Sequence, residues 1–142
     1  MDRLKVIEGF IKGIDPNIEV GTDDRFCVDI DGEVVYITNS LSSEEDEIWS
    51  KFLKEEFKID YNPYVMSILH EVGHIMTFTE DLGEEREMIY FLLQMKYVDG
   101  NFEDFNNEYF KIPMEYEATA WAVDFYRDNK ELCDNIAVEL NR

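Results

Sequence analysis

The chain has 142 residues, of which 45% are hydrophobic and 14% aromatic, enough to bury one hydrophobic core without cross-links. Its 33 acidic and 13 basic residues give a formal net charge of −20. Direct binding to DNA or RNA is excluded, because phosphates are bound by basic patches. We interpret the charge mainly as a source of solubility, and as a surface suited to a basic partner.

The sequence shows no run of apolar residues long enough for a signal peptide or a membrane span. We therefore expect a cytoplasmic protein that does not bind membranes. Cys27 and Cys133 are too few for a disulfide framework, and we expect them to be buried free thiols. Because no repeat or linker interrupts the sequence, residues 1–142 are predicted to form one domain.

The N-terminal part of the chain is predicted to hold a helix and a β-hairpin. The helix covers residues 4–11 and ends near Gly13 and Pro16. Hydrophobic residues then alternate with polar ones between residues 25 and 38. Asp31-Gly32 supplies a tight turn, which favours a hairpin of strands 26–30 and 34–37.

The rest of the chain is predicted to be mostly helical. Ser43 can begin a helix that extends to Phe57, and Pro63 can open a second helix that extends to Met76. Three more helices are predicted over residues 84–98, 113–126 and 130–140, and a packed loop over residues 99–112. The predicted fold class is α+β, with many helices and one small antiparallel sheet.

The helix that begins at Pro63 carries the motif His70-Glu71-Val72-Gly73-His74. Histidines four residues apart lie on the same helix face, so both imidazoles can bind one ion. Glu71 can accept a proton from metal-bound water, as in zinc proteases that carry this motif. The chain has only two histidines, and chance gives this pattern in roughly 0.2% of cases. We therefore predict His70 and His74 as Zn²⁺ ligands and Glu71 as the catalytic base.

A catalytic zinc site needs three protein ligands and an open position for water, and the sequence has no third histidine. Glu80 and Asp81 follow the motif closely, but Thr77 stands where the turn of such sites normally has glycine. Cys27 and Cys133 are further candidates, although nothing beside either residue marks it as a ligand.

The helix that begins at Pro113 offers the stronger candidates. It contains Glu115-Tyr116-Glu117, followed by alanines that would let it pack closely against another helix. Because Glu115 and Glu117 are two residues apart, they point in different directions and at most one can be a ligand.

Together, the HExxH motif and the later Glu-x-Glu-Ala segment resemble the ImmA/IrrE metallopeptidases over residues 64–125. In that family the Glu directly before the Ala is the third zinc ligand, which implies Glu117, 43 residues after His74. The resemblance implies a zincin-like domain with strands beside the HExxH helix, where an extended peptide can add as a further strand. It also implies a zinc-dependent endopeptidase that acts on a regulatory protein, such as the repressor of a mobile element or stress response.

An alternative is a non-catalytic acidic protein on a zincin scaffold that binds a basic or DNA-binding regulator. Glu71 argues against this alternative, because a purely structural metal site has no use for a general base.

Asp124 is a candidate acceptor for the N–H of a ligating imidazole, although a solvated charge explains it more simply. Tyr64, Tyr116 and Tyr126 are candidate donors to an oxyanion, although core packing explains each of them more simply.

Overall fold

The computed structural model describes residues 2–141, apart from the side chains of Phe102 and Glu103. Within these residues the chain is mostly helical with a small three-stranded mixed sheet, which confirms the α+β class. The elements are α1 (Arg3–Ile14), β1 (Glu19–Thr22), β2 (Cys27–Asp29), β3 (Val34–Ile37), α2 (Ser43–Phe52), α3 (Pro63–Thr77), α4 (Glu80–Lys96), α5 (Phe102–Tyr109), α6 (Pro113–Asp128) and α7 (Lys130–Leu140), with a π-helical turn at Leu53–Phe57.

The predicted hairpin is formed by β2 and β3, which pair antiparallel with Val28 opposite Val35. The carboxylate of Asp29 closes the turn by accepting a hydrogen bond from the backbone N–H of Gly32 at 3.1 Å. The sequence did not predict β1, which pairs parallel with the other edge of β3. Its four residues include Gly21 and are too short to show a clear alternation. The strand order β1-β3-β2 leaves β2 at an edge.

The helices differ from the prediction mainly at two places. α3 begins as predicted, with the Asn62 side chain as N-cap and Pro63 in its first turn. The loop predicted over residues 99–112 is wrong in part, because Asn101 caps α5 within it. α4 begins at Glu80, earlier than predicted, because the hydroxyl of Thr79 accepts a hydrogen bond from the backbone N–H of Leu82.

α3 lies at the centre of the core and packs mainly against α6, with further contacts to α2, α7, β2 and β3. Cys133 is buried in this core as predicted, whereas Cys27 is only partly buried. Within residues 2–141 no helix combines the length and the apolar character needed to cross a membrane. The fully buried hydrophobic side chains of α3 are Val65, Met66, Ile68, Leu69 and Val72.

Gly73 allows α3 and α6 to approach each other at backbone distance. A Cβ atom at this position would lie 2.5 Å from the backbone oxygen of Ala118 and 3.1 Å from its Cα. These are backbone atoms of another helix, so a side chain at residue 73 would force the two helices apart. The missing side chain of Gly73 therefore sets the distance between α3 and α6.

We predict that Gly73→Ala lowers the free energy of unfolding by about 1–3 kcal/mol, because overpacking strains the contact with Ala118. Gly9→Ala in α1 is the matched control, because a Cβ there meets no atom within 4 Å. Alanine is the better helix former, so this variant should gain about 0.5–1 kcal/mol. Urea unfolding of both variants tests the prediction, and equal stabilities would contradict it.

Candidate metal centre

His70 and His74 lie on the face of α3 that packs against α6, and both side chains are buried. Their ring centroids are 4.6 Å apart, and their Nε2 atoms approach to 3.1 Å. Two neutral imidazoles cannot turn two nitrogen lone pairs toward each other at this distance without a proton or a cation between them. Helix α3 therefore places two imidazole nitrogens close enough together to bind one ion.

Glu115 of α6 completes the group. Its side chain is 2% exposed, and its Oε1 atom lies 3.1 Å from Nε2 of His70 and 3.1 Å from Nε2 of His74. Two ligands at about 2.0–2.1 Å from one tetrahedral zinc ion lie about 3.3–3.4 Å apart, close to these spacings. His70, His74 and Glu115 therefore form a buried group that can hold a metal ion.

The structure places Glu115, and not Glu117, beside the histidines. Glu117 is exposed, because residues two apart on a helix point about 200° apart. The ligand implied by the family resemblance, Glu117, is therefore not part of the buried group that the structure brings together. A sequence signal for Glu115 existed: it lies three and seven residues before Ala118 and Ala122, the small residues that pack toward α3.

The remaining candidate ligands lie elsewhere. Glu80 and Asp81 are exposed at the start of α4, and Cys133 belongs to the hydrophobic core. Cys27 lies on β2 and has the carboxylate of Asp23 as hydrogen-bond acceptor for its thiol, at 3.7 Å. Within residues 2–141, the ligand atoms that converge belong to the two histidines and Glu115.

Thr119 fixes the tautomer of His70. Its hydroxyl donates to the backbone oxygen of Glu115 at 3.0 Å, so its oxygen accepts from the Nδ1–H of His70 at 2.9 Å. Nε2 of His70 is then left as the lone-pair donor toward the site. Asp124, the acceptor considered from sequence, is exposed and paired with Arg127 at 3.1 Å instead. Nδ1 of His74 has no partner among the described residues.

The buried carboxylate of Glu115 has the two imidazoles on one side and the guanidinium of Arg86 on the other. Burial alone would raise its pKa, but the hydrogen bonds and charges of His70 and His74 hold the pKa far below its ordinary value. Burial lowers the pKa of His70, but Glu115 and the charge of Glu71 outweigh it, so the pKa of His70 lies above 6.5. The carboxylate of Glu115 therefore favours a positive charge next to it. Either a proton on an imidazole or a bound metal cation can supply that charge.

Arg86 of α4 holds the second oxygen of Glu115. Its Nε lies 3.4 Å from Oε2 of Glu115, and its guanidinium also donates to the hydroxyl of Tyr109 at 3.3 Å. The ring of Tyr90 lies against the guanidinium, with 4.5 Å between the ring centroid and Cζ. Oε1 is left facing the histidines, so Glu115 is oriented to bind a metal through one oxygen.

Glu71 lies beside this group in an open cleft of about 730 Å³. The cleft is walled by residues 25–31, which include all of β2, and by His74, Arg86, Tyr109 and Glu115. Burial raises the pKa of Glu71 above 4.5, while the charges of His70 and His74 counteract it. Glu71 therefore has the position of a proton acceptor next to the candidate ligands.

The three tyrosines considered from sequence do not line this cleft. Tyr64 donates to the backbone oxygen of Thr38 at 2.5 Å, and Tyr126 donates to Asp134 at 2.7 Å. The ring of Tyr116 stacks on Phe57, with 5.6 Å between the centroids. Tyr90 and Tyr109 are the tyrosines at the cleft, and no sequence pattern pointed to them.

Comparison with models of known protein families, with curated proteins and with solved structures found no match to this chain. The assignment of the site therefore depends on the residues and their geometry.

We predict that Glu115→Gln lowers zinc affinity at least about tenfold, because a neutral amide replaces the anionic ligand oxygen. Glu117→Gln is the matched control and should bind zinc like the wild type, because Glu117 is exposed. Competition with a chromophoric chelator measures both affinities. Loss of affinity in Glu117→Gln with wild-type binding in Glu115→Gln would overturn the assignment.

We also predict that Thr119→Val lowers zinc affinity by about 10–100-fold, because the Nδ1–H of His70 loses its acceptor. Valine has a similar shape, so the packing of α6 is preserved. Thermal unfolding of the metal-free proteins shows whether the variant is folded. A folded variant with unchanged zinc affinity would show that Thr119 does not orient His70.

Proposed function

We propose that this chain is a zinc-dependent endopeptidase. The observation that supports the proposal is the convergence of His70, His74 and Glu115 beside a cleft that also holds Glu71. Two imidazoles and one carboxylate with an open position form a ligand set of catalytic zinc sites. A structural site is instead closed by four protein ligands and needs no neighbouring base.

In the proposed reaction, Glu71 accepts a proton from the water that attacks the peptide carbonyl. The same carboxyl group then passes the proton to the nitrogen of the leaving amine as the C–N bond breaks, so Glu71 ends unchanged. His70, His74 and Glu115 would hold the zinc ion, which would supply the Lewis acidity that lowers the pKa of water and polarises a carbonyl. Arg86 keeps Glu115 oriented throughout, because it binds the oxygen that does not face the histidines.

The edge strand β2 supports an extended peptide as the substrate. β2 pairs with β3 along one edge and lines the cleft with Glu71 and His74. Its free edge can pair with the backbone of an extended peptide, which places a carbonyl at the site without demanding one sequence. The exposed rim carries Asp29, Asp31 and Glu87 against Arg25, which favours basic substrates.

The target we propose is a regulatory protein with a basic surface, such as a DNA-binding repressor. The net charge of −20 supports this choice, because it attracts a basic surface over distance and repels acidic proteins.

We predict that Glu71→Gln retains zinc but lowers peptide hydrolysis by about 10²–10⁴-fold, because the amide cannot accept a proton. Cleavage of a proteome-derived peptide mixture, followed by mass spectrometry, measures the activity. Glu117→Gln is the control, since it removes one exposed carboxylate of the same chain without touching the cleft. Hydrolysis at the wild-type rate by zinc-loaded Glu71→Gln would remove Glu71 from the mechanism.

The same experiment distinguishes a second candidate function, which the charge of −20 favours. In it, the chain acts only by binding a basic regulator. The prediction then differs: neither the zinc-loaded wild type nor Glu71→Gln cleaves the peptide mixture.

A further inference from the structure

α4 carries an exposed apolar stripe on the side that faces away from the core. We define the α4 stripe as Met88, Phe91, Leu92 and Met95 on the helix, with Val98 in the turn that follows it. Their exposed fractions are 67%, 62%, 57%, 62% and 77% in the same order. The spacing of three and four residues places Met88, Phe91, Leu92 and Met95 along one helix face, and Val98 follows in the turn.

The opposite face of α4 packs against the rest of the protein. Leu93 is buried there, Tyr90 packs edge-on against the ring of Phe105, and Arg86 binds Glu115. α4 thus contacts α5 and α6 on one side and exposes an apolar face on the other. Four large hydrophobic side chains at helical spacing, with Val98 beyond them, differ from the scattered hydrophobic residues of an ordinary surface and indicate an interaction site.

The charges around the α4 stripe indicate what can cover it. Asp81, Glu84 and Glu85 are exposed on the first turns of α4, and Asp99 is exposed beyond its end. Lys96 in the last turn is paired with Glu108 at 3.1 Å. A partner that covers the stripe therefore meets carboxylates at both ends.

A second copy of this chain is a poor occupant. An antiparallel pairing of two α4 helices about Phe91 and Leu92 would bring Glu84 and Glu85 of one copy near Asp99 of the other. Each copy also carries a net charge of −20, so long-range repulsion opposes the encounter. The surface of an anionic membrane is disfavoured for the same reason.

We infer that the α4 stripe docks an amphipathic helix of another protein, with an apolar face of about three turns and basic residues at both ends. Basic ends pair with the carboxylates that flank the stripe, while the apolar face buries Phe91 and Leu92. The two methionines suit such a surface, because their flexible side chains adapt to different apolar partners. This inference does not depend on metal binding or on the proposed peptidase activity.

The test uses the full chain and two synthetic helical peptides of about 16 residues, or about 24 Å. Both carry the same leucine face, one with lysines and the other with glutamates at its ends. We expect the lysine peptide to bind at least about tenfold tighter in fluorescence anisotropy at physiological salt. Failure of both peptides to bind, or equal binding of both, would overturn the inference.

Variants show whether binding occurs at the stripe. Phe91→Gln/Leu92→Gln should weaken binding of the lysine peptide at least about tenfold, because it removes the central apolar anchors. Leu132→Gln/Val138→Gln is the matched control, because it removes two exposed apolar side chains from α7 and should change nothing. Equal affinities of the two double variants would mean that the peptide binds by charge elsewhere, which would overturn the inference.

Two further outcomes would assign the stripe to another occupant. A concentration-dependent dimer in analytical ultracentrifugation that Phe91→Gln/Leu92→Gln abolishes would identify a second copy. Binding of the wild type to phosphatidylserine vesicles, lost in the same variant, would identify a membrane. We expect neither, and either result would overturn the proposed helical partner.

Discussion

The backbone contact between Gly73 and Ala118 is the constraint on which the site depends. Glu115 has a short side chain, so its carboxylate reaches His70 and His74 only if α6 lies directly against α3. A Cβ at residue 73 would approach the oxygen of Ala118 to 2.5 Å, so the helices meet at a distance that only glycine permits. The alanines of α6 extend this close contact along the helix. A feature of the core thus determines the geometry of the candidate metal ligands.

Burying Glu115 requires compensation, because an isolated carboxylate loses several kcal/mol of hydration in the interior. Each of the two carboxylate oxygens has its own polar partners. Oε1 faces the histidines at 3.1 Å, and Oε2 faces Arg86 at 3.4 Å. The cation–π contact of Arg86 with Tyr90 ties α4 to the same network. One guanidinium and two imidazoles thus surround a single buried carboxylate, which compensates its loss of hydration.

The sequence predicted those features that follow from local patterns. The HExxH spacing located two ligands, Asn62-Pro63 located the start of their helix, and Asp31-Gly32 located the hairpin turn. For the third ligand, the family resemblance implied Glu117, whereas the spacing of Glu115 to Ala118 and Ala122 was the local signal that marked the face of α6 toward α3. Their difference arises from the rotation of α6 against α3, which depends on Gly73 and the alanines. β1 and α5 were missed because each is short, and tertiary contacts outweigh weak local propensity in such segments.

Glu71 is the residue that favours hydrolysis among the reactions open to this ligand set. Two histidines and one carboxylate also bind iron(II) in oxygen-activating enzymes, so the ligands alone do not define the chemistry. A carboxylate beside the open side of the group serves as a base for water, which hydrolysis needs. Burial in the cleft raises the pKa of Glu71 above its ordinary value, and a base of raised pKa retains an accepted proton better. Because the edge strand β2 lines the same cleft, the proposed base Glu71 lies beside the strand edge to which we propose that an extended peptide binds.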